Sequence, residues 1–436
     1  MRIFVCGANG FVGRHMVQAL SAAGHQVVSG VRAINKSPDI AINYQRDHDM
    51  QTWLPRLHSI DAVINAVGII GEGDGATFDA IHRDAPKALF AAAAVAGVRV
   101  IQISALGGAN ETADLTTLTP YMRSKREADA ALMAGPGKWL VLRPSLLIGV
   151  DGASSRLFRS LSSLPALGLP GKGEQMLQPV HIDDLCGAVV QWLANDGGNA
   201  VVNAVGPAAI SYRAMLETYR RLMGLPPAAY FSIPMPLMRA GASLARWLPQ
   251  KVFTPETLRM LQDNNVADAA QFAALLKHAP KAGDTWFAVA SAESLRAQAM
   301  AEWNNAIFRI ALALLWLATG ALSLGVYPVA SSLELLAPLG LHGDLAVTTL
   351  YGAAGFDIVM GAACLFYPRR GLWLLQMAVV LVYTGLITAY LPQFWLHPFG
   401  PILKNIPILA MLVVLYAGEQ SRTRLANVPT TSGLAT

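Results

Sequence analysis

Charge is scarce in this sequence: Asp, Glu, Lys and Arg make up 14% of the 436 residues, against 53% hydrophobic residues. Soluble domains usually carry about 25% charge, so this balance excludes a wholly water-exposed protein and leaves part of the chain for lipid. Cysteine is scarcer still. Cys6, Cys186 and Cys364 show no C-x-x-C spacing and no neighbouring histidine cluster, which argues against a disulfide framework or a zinc site and fits a reducing compartment. The N-terminus has no charged segment leading into a long apolar run, because Ile3-Phe4-Val5 breaks at once into glycines. Export of this end is therefore not expected. Net charge is +5, and the basic residues form no stripe interleaved with aromatics, so nucleic acid is not an expected partner.

What is present begins with a strand and helix alternation over residues 1–150. Strands are read at 3–6, 26–31, 62–67, 98–104 and 139–143, with helices around 12–22, 85–96 and 121–133. Such βαβ alternation predicts an α/β fold, a Rossmann-type doubly wound parallel sheet. Residues 151–303 read as the remainder of the sheet plus a small lid or substrate region. They combine Gly/Pro turns such as LPALGLPGKGEQ with amphipathic stretches such as SYRAMLETYRRLM.

Behind the first strand stands GANGFVG, residues 7–13. Glycines at Gly7, Gly10 and Gly13 permit a tight turn, close approach of backbone to a pyrophosphate, and a helix N-terminus aimed at it. Asn9 and Phe11 lie within the same loop and are counted with the cofactor site. A purely structural turn is the other reading of such a run. The second strand ends in VVSGVRA, where an acidic residue would accept from a free ribose 2′-hydroxyl. Arg32 stands there instead. A guanidinium suits a 2′-phosphate, so NADP(H) is favoured over NAD(H), with a solvated surface arginine as the alternative. INAVG, residues 64–68, ends a strand at the carboxyl edge of the sheet, which places Asn65 and Gly68 along the cofactor crevice.

In TPYMRSKREADAALM, Tyr121 and Lys125 are one helical turn apart and share a face. A nearby ammonium favours the phenolate, which lets Tyr121 serve as general acid or base, and the lysine can also hold the nicotinamide ribose. An incidental pair on a surface helix is the bland alternative.

Together GANGFVG, DAVINAVG, IQISALGG, YMRSKREAD, LRPSLLIG, QPVHIDDLCGAV and NAVGP resemble the short-chain dehydrogenase/reductase superfamily in its extended or atypical branch. They are similar in particular to the subgroup typified by the nucleotide-binding accessory subunit of respiratory complex I. The resemblance covers about the first 210 residues. It implies that Gly7, Gly10 and Gly13 hold the pyrophosphate, that Tyr121 and Lys125 are the active-site pair, and that Arg143-Pro144 precedes the nicotinamide-facing loop. Ser104 and Pro144 thereby join the cofactor-site candidates. One departure stands out: where the extended branch places a Ser or Thr to polarise the substrate carbonyl, this sequence has Leu106.

From 304 to 420 the composition turns apolar. Four stretches, 306–327, 346–366, 372–391 and the shorter 402–417, read as membrane helices, the first three long enough to cross roughly 30 Å of hydrocarbon, and 421–436 reads as a flexible tail. Arg369 and Arg370 follow the second stretch, and Arg422 and Arg424 follow the fourth. By the positive-inside rule the Rossmann domain and C-terminus lie on the cytoplasmic side of a cell inner membrane. QFWLHPFGPILKNIPILAMLVVLY resembles the DoxX-like four-helix membrane family, which implies an association with oxidative or quinone chemistry. Asp357 falls mid-stretch in GFDIVMG. It is expected to face the bundle interior, as a structural or proton-handling site with His397 or Lys404 or as a protonated packing residue. The segment 234–250, with Arg239 and Arg246 opposite Met, Leu and Trp, reads as an interfacial helix or as a helix packed on the lid.

Two functions follow as expectations. One is a membrane-anchored NAD(P)H-dependent oxidoreductase acting on an apolar carbonyl, alcohol or quinone-like molecule. The other is a non-catalytic nucleotide-binding structural or assembly factor for a membrane protein partner. A redox-state sensor coupled to the bundle is a third reading that no residue singles out.

Overall fold

A computed structural model of the chain describes residues 1–34, 38–73, 75–107, 115–245, 255–288 and 290–427. It divides into two units, residues 1–299 and 300–436.

In the first unit β1 (Arg2–Cys6), α1 (Phe11–Ala22), β2 (Gln26–Val31) and the short β3 (Ile40–Ala41) lead to α2 (Met50–Trp53) and β4 (Ala62–Asn65). After β4 come α3 (Ala85–Ala96), β5 (Arg99–Ile103), α4 (Pro120–Ala134) and β6 (Trp139–Pro144). The later half adds β7 (Leu147–Ile148), α5 (Ala153–Ser162), β8 (Ala166–Pro170), β9 (Met176–Leu177), β10 (Val180–His181), α6 (Ile182–Ala194) and β11 (Ala200–Ala204). Next are β12 (Ile210–Ser211), α7 (Tyr212–Leu222), β13 (Ala229–Ile233), α8 (Met235–Ala245), α9 (Pro255–Gln262) and α10 (Ala270–Leu276).

Seven strands pair in parallel in the order β11-β6-β5-β4-β1-β2-β3. The reason is legible in β1: after Arg2, IFVC is a continuous apolar run buried on both faces, as a strand covered by helices on either side must be. Ile3 and Val5 face one layer with Met16, Leu185, Trp192 and Phe272, while Phe4 and Cys6 face the other with Trp53, Leu89 and Leu132. Chain order reverses between β1 and β4. A crevice opens outside their carboxyl ends, where doubly wound sheets bind ligands. The sequence reading missed β3 and did not set out the last strand, β11, because two-residue pairing and a polar-flanked AVVNA carry little periodicity. A third apolar cluster, including Leu167, Met215, Tyr219, Trp286 and Leu295, gives residues 148–299 a core of their own.

The second unit is helical. The helix α11 (Ala292–Ala321) runs on to Val326, followed by α12 (Val329–Leu336), α13 (Gly343–Phe366), α14 (Arg370–Tyr390) and α15 (Asn405–Asn427). Among the described residues three helices, 292–326, 343–366 and 370–390, are long and apolar enough to cross a membrane. The expected fourth span is corrected: within α15 the apolar part is Asn405–Glu419, about 22 Å at 1.5 Å per residue. Lys404 precedes it and Glu419 closes it, so the hydrocarbon-compatible length stops short of roughly 30 Å. An apolar helix at 329–339 was not anticipated at all. Arg422 and Arg424 have side chains outside those described.

Small residues set the helix crossing. A Cβ on Gly320 would lie 2.7 Å from Ile358 Cγ1 and 2.9 Å from the Ala354 carbonyl, and one on Gly361 3.1 Å from the Ala313 carbonyl. The backbones of α11 and α13 are therefore in near contact, the packing that small residues allow in lipid. Arg309 donates to the carbonyls of Cys364 and Leu365, at 2.9 and 2.7 Å, and so caps the end of α13. All three cysteines are free and buried. Replacing Gly320 by Leu is expected to overpack this crossing by about 1–3 kcal/mol. The detergent-solubilised protein should then melt several degrees lower, whereas Leu at the open Gly352 should leave the transition in place.

Candidate functional site

The crevice at the β1/β4 reversal is built from the glycine loop on one wall. Gly7 adopts φ +82°, a left-handed conformation that favours glycine, and its N–H donates to Gly30 O at 3.0 Å. Gly10 donates to Gly7 O at 2.9 Å and stands as the N-cap of α1 with no side-chain cap. A Cβ on Gly13 would collide with the Gly7 carbonyl, so only glycine lets α1 descend this close to β1. The first-turn amides have no intrahelical partner, and no acidic residue sits among them. This cradle fits a dinucleotide pyrophosphate, with Gly10, Phe11, Val12 and Gly13 presenting backbone N–H groups or the space to approach them.

Phe11 turns its ring toward a later loop: a Cβ on Gly149 would be 2.8 Å from Phe11 Cζ, and one on Gly152 3.1 Å. Asn9 is exposed and its carbonyl accepts from Arg14 at 3.3 Å. Asp151 accepts from Arg14 at 2.5 Å and pairs with His15 at 3.0 Å. The His15 contact, then Arg14, holds the Asp151 carboxyl well below the usual carboxylate range.

On the other wall Asn65 is buried and fully engaged. Tyr44 O–H donates to its Oδ1 at 2.8 Å and its Nδ2 donates to Gln102 Oε1 at 2.8 Å. Its side chain thus braces the strand ends beneath the crevice and steadies the loop through Val67 N–H, at 3.3 Å. Gly68 does reach the site: a Cβ there would lie 3.5 Å from both His82 Nε2 and Lys125 Nζ.

Thr119 caps α4, accepting from Met122 N–H at 3.3 Å, and Pro120 starts it, which fixes Tyr121 and Lys125 on the inward face. Lys125 is buried and donates to Ile103 O at 3.2 Å; burial lowers its pKa to about 8. Burial also pushes the Tyr121 phenol up to about 12, with Arg126 opposing. The expected stabilisation of a phenolate by Lys125 is therefore corrected. Removal from water outweighs the neighbouring charges, and Tyr121 keeps its proton at neutral pH.

Sequence reasoning missed His82. Its ring meets Tyr121 edge-on at 5.2 Å, and Tyr121 in turn meets Phe78 at 5.7 Å. Ile69 N–H donates to His82 Nε2 at 3.0 Å, which leaves the proton on Nδ1, 3.3 Å from Ser124 Oγ. Ser124 donates onward to the Tyr121 carbonyl at 2.9 Å. A neutral histidine thus ties the Gly68 loop to α4 from a π-helical turn at Asp79–Asp84, a distortion frequent at functional sites. The signal available was IHRD itself, a histidine in an otherwise apolar helical face.

Ser104 does not join this group. Its hydroxyl donates to Asp129 Oδ2 at 2.8 Å, in a buried cluster with Arg143 at 3.2 Å and Arg126 at 3.4 Å. Around Leu106 the backbone is spoken for. Leu106 N–H donates to Pro144 O at 2.9 Å, Arg126 donates to the Ala105 and Leu106 carbonyls, and Asn265 donates to Gly107 O at 2.7 Å. Pro144 is buried at the end of β6 and serves this clamp through its carbonyl. Arg32 is exposed just beyond β2.

This geometry defines a dinucleotide-binding Rossmann domain. The NAD dependent epimerase/dehydratase family model matches residues 3–204, and the DoxX-like family model matches residues 313–413. Subunit 9 of the NADH dehydrogenase (ubiquinone) 1 alpha subcomplex, mitochondrial, from Arabidopsis thaliana is 27% identical over 271 residues, 58% of this chain. The chain spans 65% of that protein's length. Ceramide reductase from Caulobacter vibrioides is 25% identical over 253 residues, 56% of this chain and 78% of that protein. Among solved structures, MoeE5 in complex with UDP-glucuronic acid and NAD has a TM-score of 0.51 at 23% identity, covering 68% of this chain and 99% of the other. A mutant UDP-glucuronic acid 4-epimerase from Bacillus cereus, bound to a fluorinated UDP sugar and NAD, has a TM-score of 0.50 at 19% identity, covering 69% and 99%.

The chain joins an N-terminal NAD-binding, epimerase-like Rossmann domain to a C-terminal DoxX-like membrane domain, and resembles complex I accessory subunits. The preference for NADP(H) drawn from Arg32 is overturned: both solved structures hold NAD. A solvent-exposed arginine at a strand end is as well accounted for by hydration as by a phosphate.

Gly13→Ala is expected to weaken NADH binding at least tenfold and to destabilise the first unit by roughly 1–3 kcal/mol, read by titration and thermal melting. His82 yields a pH signature. Burial, then Lys125, lowers its pKa from 6.5 to about 2, so below 6.5 the unfolded chain binds the proton that the folded one refuses. Its contribution is intact above pH 6.5 and is lost as pH falls toward 2, at about 1.4 kcal/mol per unit at the steepest. Denaturant melts between pH 7 and 5 should show that loss in the native protein and a flatter profile in His82→Gln.

Proposed function

We propose that this protein is a membrane-anchored NAD-binding structural or assembly factor, in which the bound dinucleotide stabilises a surface offered to a membrane protein partner. The observation that carries the reading is the contrast between the two halves of the crevice. On the dinucleotide side, first-turn amides are left uncapped. On the side where a carbonyl substrate would be polarised, Leu106 is buried and the surrounding backbone from Ala105 to Gly107 is bonded internally to Arg126, Pro144 and Asn265. An oxyanion-polarising donor can contribute several kcal/mol to catalysis, and Leu106 supplies none. The likeness to a complex I subunit supports the same reading. The bilayer is the second partner; Arg369 and Arg370, at the turn between α13 and α14, support a cytoplasmic position for that turn at an inner membrane.

A second reading is favoured by the Tyr121/Lys125 pair and by the likeness to a ceramide reductase. NAD(H), when bound, supplies hydride exchange at its nicotinamide. Tyr121, protonated at neutral pH, would then donate to the oxygen of an apolar carbonyl or quinone-like substrate, with Lys125 holding the ribose and assisting reprotonation. The same acid run in reverse serves an alcohol.

Tyr121→Phe separates the two. It removes the hydroxyl and leaves the ring packed on Phe78 and His82. Cells carrying it should retain at least half of the native protein's activity in complementation, while Gly13→Ala should lose it. Loss of function with Tyr121→Phe at normal protein level and normal NADH affinity would establish the oxidoreductase instead.

A further inference from the structure

Residues 391–404 join α14 to α15, and their exposed surface is apolar. Leu396 is 90% exposed and Phe399 74%, with Trp395 and Leu403 exposed beside them. A connection between helices ordinarily meets water and is polar. Here charge is almost missing: between Arg370 and Glu419 the sequence has no Asp or Glu, and Lys404 is its single Lys or Arg. With 21 residues and about 32 Å, α14 alone already matches roughly 30 Å of hydrocarbon, so this apolar surface lies beyond the length a span requires.

The segment does not fold these groups inward, because its backbone is fixed. A 3₁₀ turn at Pro392–Trp395 is closed by Leu396 N–H donating to Gln393 O at 3.2 Å, and Gly400, at φ +50°, donates to His397 O at 2.8 Å. Trp395 Nε1 donates to Thr388 Oγ1 at 2.9 Å and Asn405 Nδ2 to Thr384 Oγ1 at 2.8 Å, which tie the segment to α14 at both ends. His397, expected beside Asp357, lies instead between the rings of Phe394 and Phe399, with centroids 6.2 and 5.5 Å away. Ile402 is buried and anchors the return toward α15.

Two features select lipid as the cover for this surface. The first is the backbone. Pro392, Pro398 and Pro401 have no N–H, and those of Leu391, Phe394, Leu396, Phe399, Gly400 and Lys404 are bonded within the protein. Unmet donors are what keep an irregular segment out of an apolar medium, and here most are removed or satisfied. The second is continuity with the span. Val382, Leu386 and Tyr390 share one exposed face of α14 and lead, in chain order, into Trp395, Leu396 and Phe399. Aromatic rings and one ammonium at the end of a span are the composition of a bilayer's interfacial belt.

We propose that residues 391–404 form a wedge seated in the headgroup and upper acyl region of the bilayer, at the end of α14 away from Arg369 and Arg370. Leu396 and Phe399 enter the acyl boundary, Trp395 lies at headgroup level, and the Lys404 ammonium reaches lipid phosphate. The partner of this surface is phospholipid, so a membrane protein partner would use another part of the chain.

Depth quenching on the full chain in nanodiscs tests this. Leu396→Cys and Phe399→Cys are each labelled with a nitrobenzoxadiazole maleimide, the native cysteines being buried. Phospholipid with a nitroxide near the top of its acyl chain should quench both labels several-fold more than a label at Ser21→Cys, on the exposed end of α1, and aqueous iodide several-fold less. Iodide quenching equal to that at residue 21 overturns the proposal. So do labels shielded from iodide yet not quenched by the lipid, the signature of a protein cover. Should the variants fail to fold, the native chain decides. A phospholipid with a photoactivated diazirine near its headgroup should leave adducts between Trp395 and Phe399, and adducts on α14 with none in that stretch overturn the proposal.

Discussion

The close approach of Gly13 to the Gly7 carbonyl is the constraint on which the crevice depends. Without a Cβ at residue 13, α1 sinks against the end of β1 and its uncapped amides point across the strand reversal. Phe11 then reaches Gly149 and Gly152, and Arg14 with His15 reaches Asp151, so the position of α1 also registers the later half of the unit against the sheet. Move α1 outward and both the anion cradle and this registration are lost together.

Around that contact the two walls differ in how much bonding capacity they leave open. Lys125, Ser104, Asn65, His82 and the backbone near Leu106 all make hydrogen bonds within the protein. These bonds hold the walls of the crevice in place. The site can still be stabilised by a ligand: a dinucleotide present at a hundred times its dissociation constant would add about 2.7 kcal/mol to the folded state. That is a large share of a typical domain's stability, and it suits the proposed task of presenting a surface.

Much of this was legible in the sequence. Apolar runs such as IFVC and the glycine spacing of GANGFVG report on backbone geometry directly, so the Rossmann sheet and its loop could be read from them. The Tyr121/Lys125 pair was legible as a pair because helical spacing is local. Its protonation state was not, since burial by Phe78, His82 and α4's own packing is tertiary. Ser104 and Asn65 were read as crevice residues from the ends of their strands, but their side chains are bonded to Asp129 and to Tyr44 and Gln102, residues 25, 21 and 37 positions away. Arg32 misled because a charge at a strand end carries no direction. In the membrane unit, composition showed the apolar stretches, while the polar run from Glu419 onward lies within α15 and shortens its apolar part but not the helix.

The central claim, that this is a dinucleotide-binding module built to hold rather than to turn over, is tested most directly in one sample. Full-length protein in nanodiscs is titrated with NADH while binding is read by nicotinamide fluorescence, and oxidation is followed at the same time with a quinone and a long-chain ketone present. The account expects saturable NADH binding, a higher melting temperature in the bound state, and no NADH consumption above the rate without protein. Saturating NADH oxidation that disappears in Tyr121→Phe would contradict it.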